Sequence, residues 1–166
     1  MQIELSTLTD SPVWCNSTQI GLVWRVAFDL TNGQVLGILI DHETVAPAEA
    51  ITELNQSGVK VRASEKVRAG SLVAQAAAAS VHILHARAFA EDGTTMGTVT
   101  DASILFPMLQ LSSIVVSSED GERLITRTDI ISMNHDRVIV RGELAQKVFD
   151  WNGPAANPIL TTNRTV

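Results

Sequence analysis

The stretch Ile20-Gly21-Leu22-Val23-Trp24-Arg25-Val26-Ala27-Phe28-Asp29-Leu30-Thr31-Asn32-Gly33-Gln34-Val35-Leu36-Gly37-Ile38-Leu39-Ile40-Asp41 decides how the chain is read. Leu22, Trp24, Val26, Phe28 and Leu30 are apolar at every second position, with Val23, Arg25, Ala27 and Asp29 between them. A period of two is the repeat of a β-strand, so these five side chains are expected on its buried face, with Trp24 a core residue. Asn32-Gly33 supplies the positive φ that a tight hairpin turn needs. The return segment, Val35 to Ile40, is apolar on both faces, as in a strand covered on both sides. Gly37 interrupts it and predicts a bulge, or a point where another backbone or ring comes close.

The pattern returns 76 positions later. Laid without a gap, residues 13–40 fall over 89–116, with Thr18 over Thr94, Gly21 over Gly97, Val23 over Val99, Gln34 over Gln110 and Ile38 over Ile114. After a three-residue insertion in the second copy, Ala46-Pro47-Ala48-Glu49-Ala50-Ile51 falls over Ile125-Thr126-Arg127-Thr128-Asp129-Ile130, and Val59-Lys60-Val61 over Val138-Ile139-Val140. The order of turns and apolar runs is kept, so the chain reads as two copies of one small β unit.

Each copy resembles a PRC-barrel domain, the small β-barrel of the photosynthetic reaction-centre H subunit and of the C-terminal half of a ribosome maturation factor. The resemblance lies in the leading segment from Leu5-Ser6-Thr7-Leu8 to Pro12-Val13, in Ile20-Gly21-Leu22-Val23, and in the hairpin through Asn32-Gly33-Gln34-Val35-Leu36-Gly37. It continues through Ala46 to Ile51 and closes on Val59-Lys60-Val61. The second copy keeps Thr95-Met96-Gly97-Thr98-Val99 and Ile125 to Ile130, with Phe106-Pro107-Met108 in place of the Asn-Gly turn. The fold this implies is all-β, with two small PRC-like β-barrels in tandem related by pseudo-twofold symmetry. The first barrel is expected over 1–72, an Ala-rich connector with helix propensity over 73–80, the second barrel over 81–146 and an irregular tail over 147–166.

Composition narrows the partners. Of 166 residues 45% are apolar, which suffices for a core, but there are only three Trp, four Phe and no Tyr, too few for a base-stacking platform. The net charge of −6 is spread evenly, 5 Lys+Arg against 8 Asp+Glu in residues 1–80 and 7 against 10 in 81–166, so nucleic-acid binding is disfavoured. The opening MQIELSTLTD has neither a basic n-region nor a long apolar core, so no signal peptide is expected, and no apolar run reaches the length of a membrane span. A cytoplasmic, prokaryotic setting is expected. The lone Cys15 excludes an intramolecular disulfide.

No catalytic, cofactor-binding or metal-ligating set emerges. His82 and His85 form an H-x-x-H, but their neighbours over 81–90 read as strand, where that spacing points the rings to opposite faces. His42 and His135 fall in turns. Cys15 has no histidine or cationic cluster nearby, and neither Ser112 nor Ser113 has a nucleophile-elbow context. Glu119-Asp120-Gly121-Glu122 lacks the spacing of a calcium loop. What remains is apolar surface. A small barrel has one interior, so Leu36, Ile38, Ile40, Ile114 and Val116 need a cover, first the other lobe and second another copy of the chain in a homodimer. The resemblance therefore implies a non-catalytic protein-binding or scaffold module, not an enzyme, with no cofactor and a protein partner. The alternatives are a ribosome-assembly factor contacting a ribosomal protein, and a small-ligand protein or enzyme using a groove between the barrels.

Overall fold

A computed structural model describes residues 1–29, 31–41, 43–66, 83–134 and 136–142 of the protein. Strand dominates, and the hydrogen-bonded sheets do not close into barrels. The chain divides into two compact units, Met1–Ser80 with Ser103–Ser112, and Val81–Ala102 with Ser113–Val166. The Ala-rich connector, His42, His82, His135, Leu30, Trp151 and the C-terminal tail lie outside the described residues.

The first unit holds two four-stranded sheets. One orders β3 (Thr18–Leu22), β2 (Pro12–Cys15), β8 (Gly58–Val61) and β7 (Ile51–Asn55). The other orders β4 (Arg25–Phe28), β5 (Val35–Leu39), β6 (Thr44–Pro47) and β9 (Glu65–Lys66). Ser64-Glu65 reads from sequence as a helix start; Glu65 and Lys66 instead pair with Val45 and Thr44 along the edge of β6.

The organising stretch is not one strand. It breaks at Val23-Trp24 and its halves enter different sheets. Val23 donates its N–H to the Ser11 carbonyl (2.8 Å) and accepts from the Asp10 N–H (2.9 Å), whereas Trp24 donates to Leu39 of the second sheet (2.8 Å). The strict alternation is lost at this corner. Val23 is 1% exposed and Leu22 46% exposed, and Trp24 is half-buried under the Arg25 guanidinium, 4.2 Å from its ring. The face expected to be buried from Leu22 through Trp24 is therefore displaced by one residue. The cause is the sheet change, which a two-residue period cannot express.

The hairpin is as expected. Asp29 accepts from the Gly33 N–H (2.8 Å) and donates its own to Gln34 (2.8 Å), and Gly33 has φ +76°. Gly37 meets both expectations at once. The β4–β5 register shifts beside it, and a Cβ there would sit 2.9 Å from the Ala46 carbonyl oxygen. The leading segment contains a helical turn, Leu5–Leu8, that alternation does not predict, with Leu5 and Leu8 buried.

The second unit orders β13 (Gly121–Thr126), β12 (Gln110–Ser118), β11 (Thr95–Leu105), β10 (Arg87–Ala90), β15 (Arg137–Val140) and β14 (Ile130–Asn134). Residues 81–90 read as strand from sequence, but among those described only Arg87–Ala90 is; Leu84 and His85 form a turn, with His85 at φ +83°. This unit has the same succession of pairings as the first. Antiparallel β2–β3, parallel β2–β8 and antiparallel β7–β8 have as counterparts β10–β11, β10–β15 and β14–β15. The register shifts also correspond, at Val13/Trp14 and Ala88/Phe89, and at Ile51/Glu53 and Ile130/Ser132, which sets Val13 over Ala88, one residue off the gap-free alignment, with the extra residue in the turn before Gly97. The two differ where the second copy carries its insertion. There the β12–β13 ladder extends to Ser118↔Gly121, and β12 flanks β11, whereas β3 ends its sheet. On β13, burial pulls the Arg123 guanidinium below its ordinary pKa and the Asp120 carboxylate offsets part of that fall.

Residues 103–112 of the β11–β12 hairpin belong to the first unit. β1 (Gln2–Glu4) pairs with Ser103, Ile104 and Leu105. At the hairpin tip Gln34 and Gln110 form an antiparallel bridge. Val35 donates to the Leu109 carbonyl (2.9 Å) and Leu111 to the Gly33 carbonyl (2.9 Å), and Gln34 Nε2 adds a bond to Leu109 (2.9 Å).

Turn carboxylates tie this fold to acid. The Thr31 hydroxyl and N–H hold Asp29 below the usual carboxylate pKa, and those of Thr94 do the same for Asp92. A carboxylate whose folded pKa is depressed adds stability above its unfolded pKa and loses it as pH falls through the folded value. The double variant Asp29→Asn/Asp92→Asn should therefore show a shallower fall in Tm below about pH 4 than the wild type. Parallel Tm–pH curves for the two proteins would contradict this.

Candidate functional site

Among the described residues no cluster of three histidine, cysteine or carboxylate side chains is placed to hold a metal, and no helix is long and apolar enough to cross a membrane. Within the first unit a concavity lies on the outer face of β2 and β8. Alternation positions its walls. Val13 faces inward and is fully buried, so its neighbour Trp14 faces out and is 36% exposed. Val59 and Val61 are likewise buried, which turns Lys60 outward between them. The parallel β2–β8 ladder then sets Trp14 directly beside Lys60.

The groove has a volume of about 590 Å³ and is lined by Trp14, Lys60, Val61 and Arg62, with Thr52 from β7 and Asn16 and Ser17 from the β2–β3 turn. That volume falls within the usual range of ligand and side-chain pockets. Asn16 (φ +53°) and Ser17 (φ +74°) are both left-handed, which turns the chain sharply at one end of the groove. Thr52 sits at the β7 register shift and donates its hydroxyl to the Lys60 carbonyl (3.1 Å).

The two cations are held differently. Lys60 Nζ pairs with Glu53 Oε2 at 3.0 Å, and the other oxygen of that carboxylate accepts from Asn55 Nδ2 at 2.6 Å. This exposed ion pair contributes at most about 1 kcal/mol, so a ligand carboxylate can compete for Lys60. Arg62 Nη2 donates to the Glu49 carbonyl (2.7 Å) and, among the described residues, has no carboxylate partner. The surface that results is an aromatic plate with two cationic groups and three small polar side chains. It can seat an apolar side chain against the indole and an acidic group against Lys60 and Arg62.

The residues singled out from sequence lie elsewhere. Ile38, Ile40, Ile114 and Val116 are buried, and Leu36 is half-buried. Cys15 is half-buried beside Trp14 in the chain, and His85 is exposed. Trp14, Lys60, Arg62 and Thr52 were not singled out. Val59-Lys60-Val61 signals that Lys60 points outward, but the adjacency of Trp14 and Lys60 depends on a parallel pairing between segments some 45 residues apart. No family model matches the chain, and no curated protein matches it.

Proposed function

We propose that the chain is a non-catalytic protein-binding module of the PRC-barrel type, built from two copies of one β unit, acting in the cytoplasm on a protein partner. The observation that carries the binding role is the outward-facing Trp14, set in register beside Lys60 and near Arg62 in a groove of about 590 Å³. Exposed tryptophan next to arginine is the composition that anchors protein interfaces. The two-copy reading is supported by the matching pairings and register shifts, and by the bridge between Gln34 and Gln110. These are counterparts in the gap-free alignment, and the bonds from Val35 to Leu109 and from Leu111 to Gly33 are reciprocal.

A second reading, a small-ligand protein, is favoured by the groove volume alone. Affinity purification at moderate salt separates the two, with the wild type compared against Lys60→Glu/Arg62→Glu by mass spectrometry. The expected result is a discrete protein that follows the wild type and is lost from the variant. Ribosomal proteins or assembly factors as the variant-sensitive set would point to ribosome assembly. Identical sets from both proteins would overturn the role given to this groove.

A further inference from the structure

The second unit carries a different outward face, and its chemistry is more sharply defined. On β10 and β15 the inward residues Ala88, Ala90, Val138 and Val140 are buried, so Arg87, Phe89, Arg137 and Ile139 share the outer face. The parallel ladder sets Arg87 directly beside Arg137 and Phe89 directly beside Ile139. Both guanidiniums approach the Phe89 ring, with Cζ 5.8 Å from its centroid for Arg87 and 5.1 Å for Arg137. Ile131 is the extra residue at the β14 register shift, next to Ser132, which pairs with Ile139, and it is 51% exposed.

Like charges placed side by side on neighbouring strands repel one another. Neither arginine has a carboxylate partner among the described residues. Both side chains are exposed, and both are held over one ring. The pair thus presents two guanidinium forks over one ring, with an apolar floor beside them. That is the geometry for a carboxylate bridging two arginines, with an apolar neighbour resting on the floor.

We propose that this face binds an acidic, extended segment of a partner protein, one carboxylate of which bridges Arg87 and Arg137 while an adjacent apolar side chain lies on Phe89, Ile139 and Ile131. Charge selects a peptide over a nucleic acid. The whole chain carries −6, so a polyanion approaches against the overall field, whereas a short segment with one or two carboxylates responds to the local pair. The site is independent of the Trp14 groove, and its failure would leave the reading of that groove untouched.

The test is selection of a random peptide display library on the immobilised full chain, followed by fluorescence anisotropy with the selected peptides. Wild type should enrich peptides with Asp or Glu next to an apolar residue. Their Kd should rise at least tenfold with Arg87→Gln/Arg137→Gln and stay unchanged with Lys60→Glu/Arg62→Glu. Arg137→Lys, which keeps the charge but not the fork, should give an intermediate loss, and this guards against a folding defect in the double variant. Selected peptides without acidic residues, or equal affinity in the double variant, would overturn the proposal. Tighter binding of a single-stranded oligonucleotide, or self-association, abolished by the same variant would overturn the choice of partner.

Discussion

Gly97→Ala is expected to destabilise the protein by about 2–6 kcal/mol, a large part of what a domain of this size possesses. Two effects combine. Gly97 has φ +134°, a conformation essentially confined to glycine, and a Cβ built there would lie 2.1 Å from the Ser117 carbonyl oxygen. That oxygen is backbone of β12, so it cannot turn aside as a side-chain tip would. Gly93→Ala separates the two effects. Its φ is +89° but nothing lies within 4 Å of the added Cβ, so only the backbone cost of about 1–2 kcal/mol applies. Chemical denaturation of both variants checks the difference. Equal losses would mean that β11 and β12 do not meet closely at Gly97.

Val23→Asp should cost about 3–5 kcal/mol, whereas Leu22→Asp should stay within roughly 1 kcal/mol of the wild type. Val23 is 1% exposed at the corner where the chain leaves β3, so a carboxylate there is cut off from water. Leu22 is 46% exposed and has water at hand. The contrast tests the break at Val23-Trp24 directly, because an unbroken alternating strand predicts the opposite order. Thermal melts of the two variants decide it. A destabilised Leu22→Asp beside an intact Val23→Asp would restore the unbroken strand.

These two positions also mark where sequence reading succeeds and where it stops. Strand identity and turn chemistry are local and were legible: Asn32-Gly33 and Gly37 do in the fold what their residue types require. The helical turn at Leu5–Leu8 and the change of sheet after Leu22 were not legible. Within Ile20–Trp24, where the break falls, no polar side chain fixes the phase of the alternation. The candidate sites show the same division. That Lys60 points outward is local, since valines flank it. That Trp14 stands beside Lys60, and Arg87 beside Arg137, follows from parallel pairings between strands some 45 to 50 residues apart, and no local pattern encodes those.

The gap-free alignment supplied one long-range fact. It placed Gln34 over Gln110, and these two residues bridge one another at the hairpin tip. A repeat offset alone does not say that counterparts touch; the reciprocal bonds do.

Site-specific photo-cross-linking at position 14 tests the binding role most directly. With benzoylphenylalanine in place of Trp14, irradiation of cells expressing the full chain should give one discrete protein adduct. The adduct should vanish when Arg62→Glu is added, and it should be absent when the probe is moved to the exposed Thr126 of the second unit. An adduct pattern at position 14 no different from that at position 126 would contradict a protein partner at this groove.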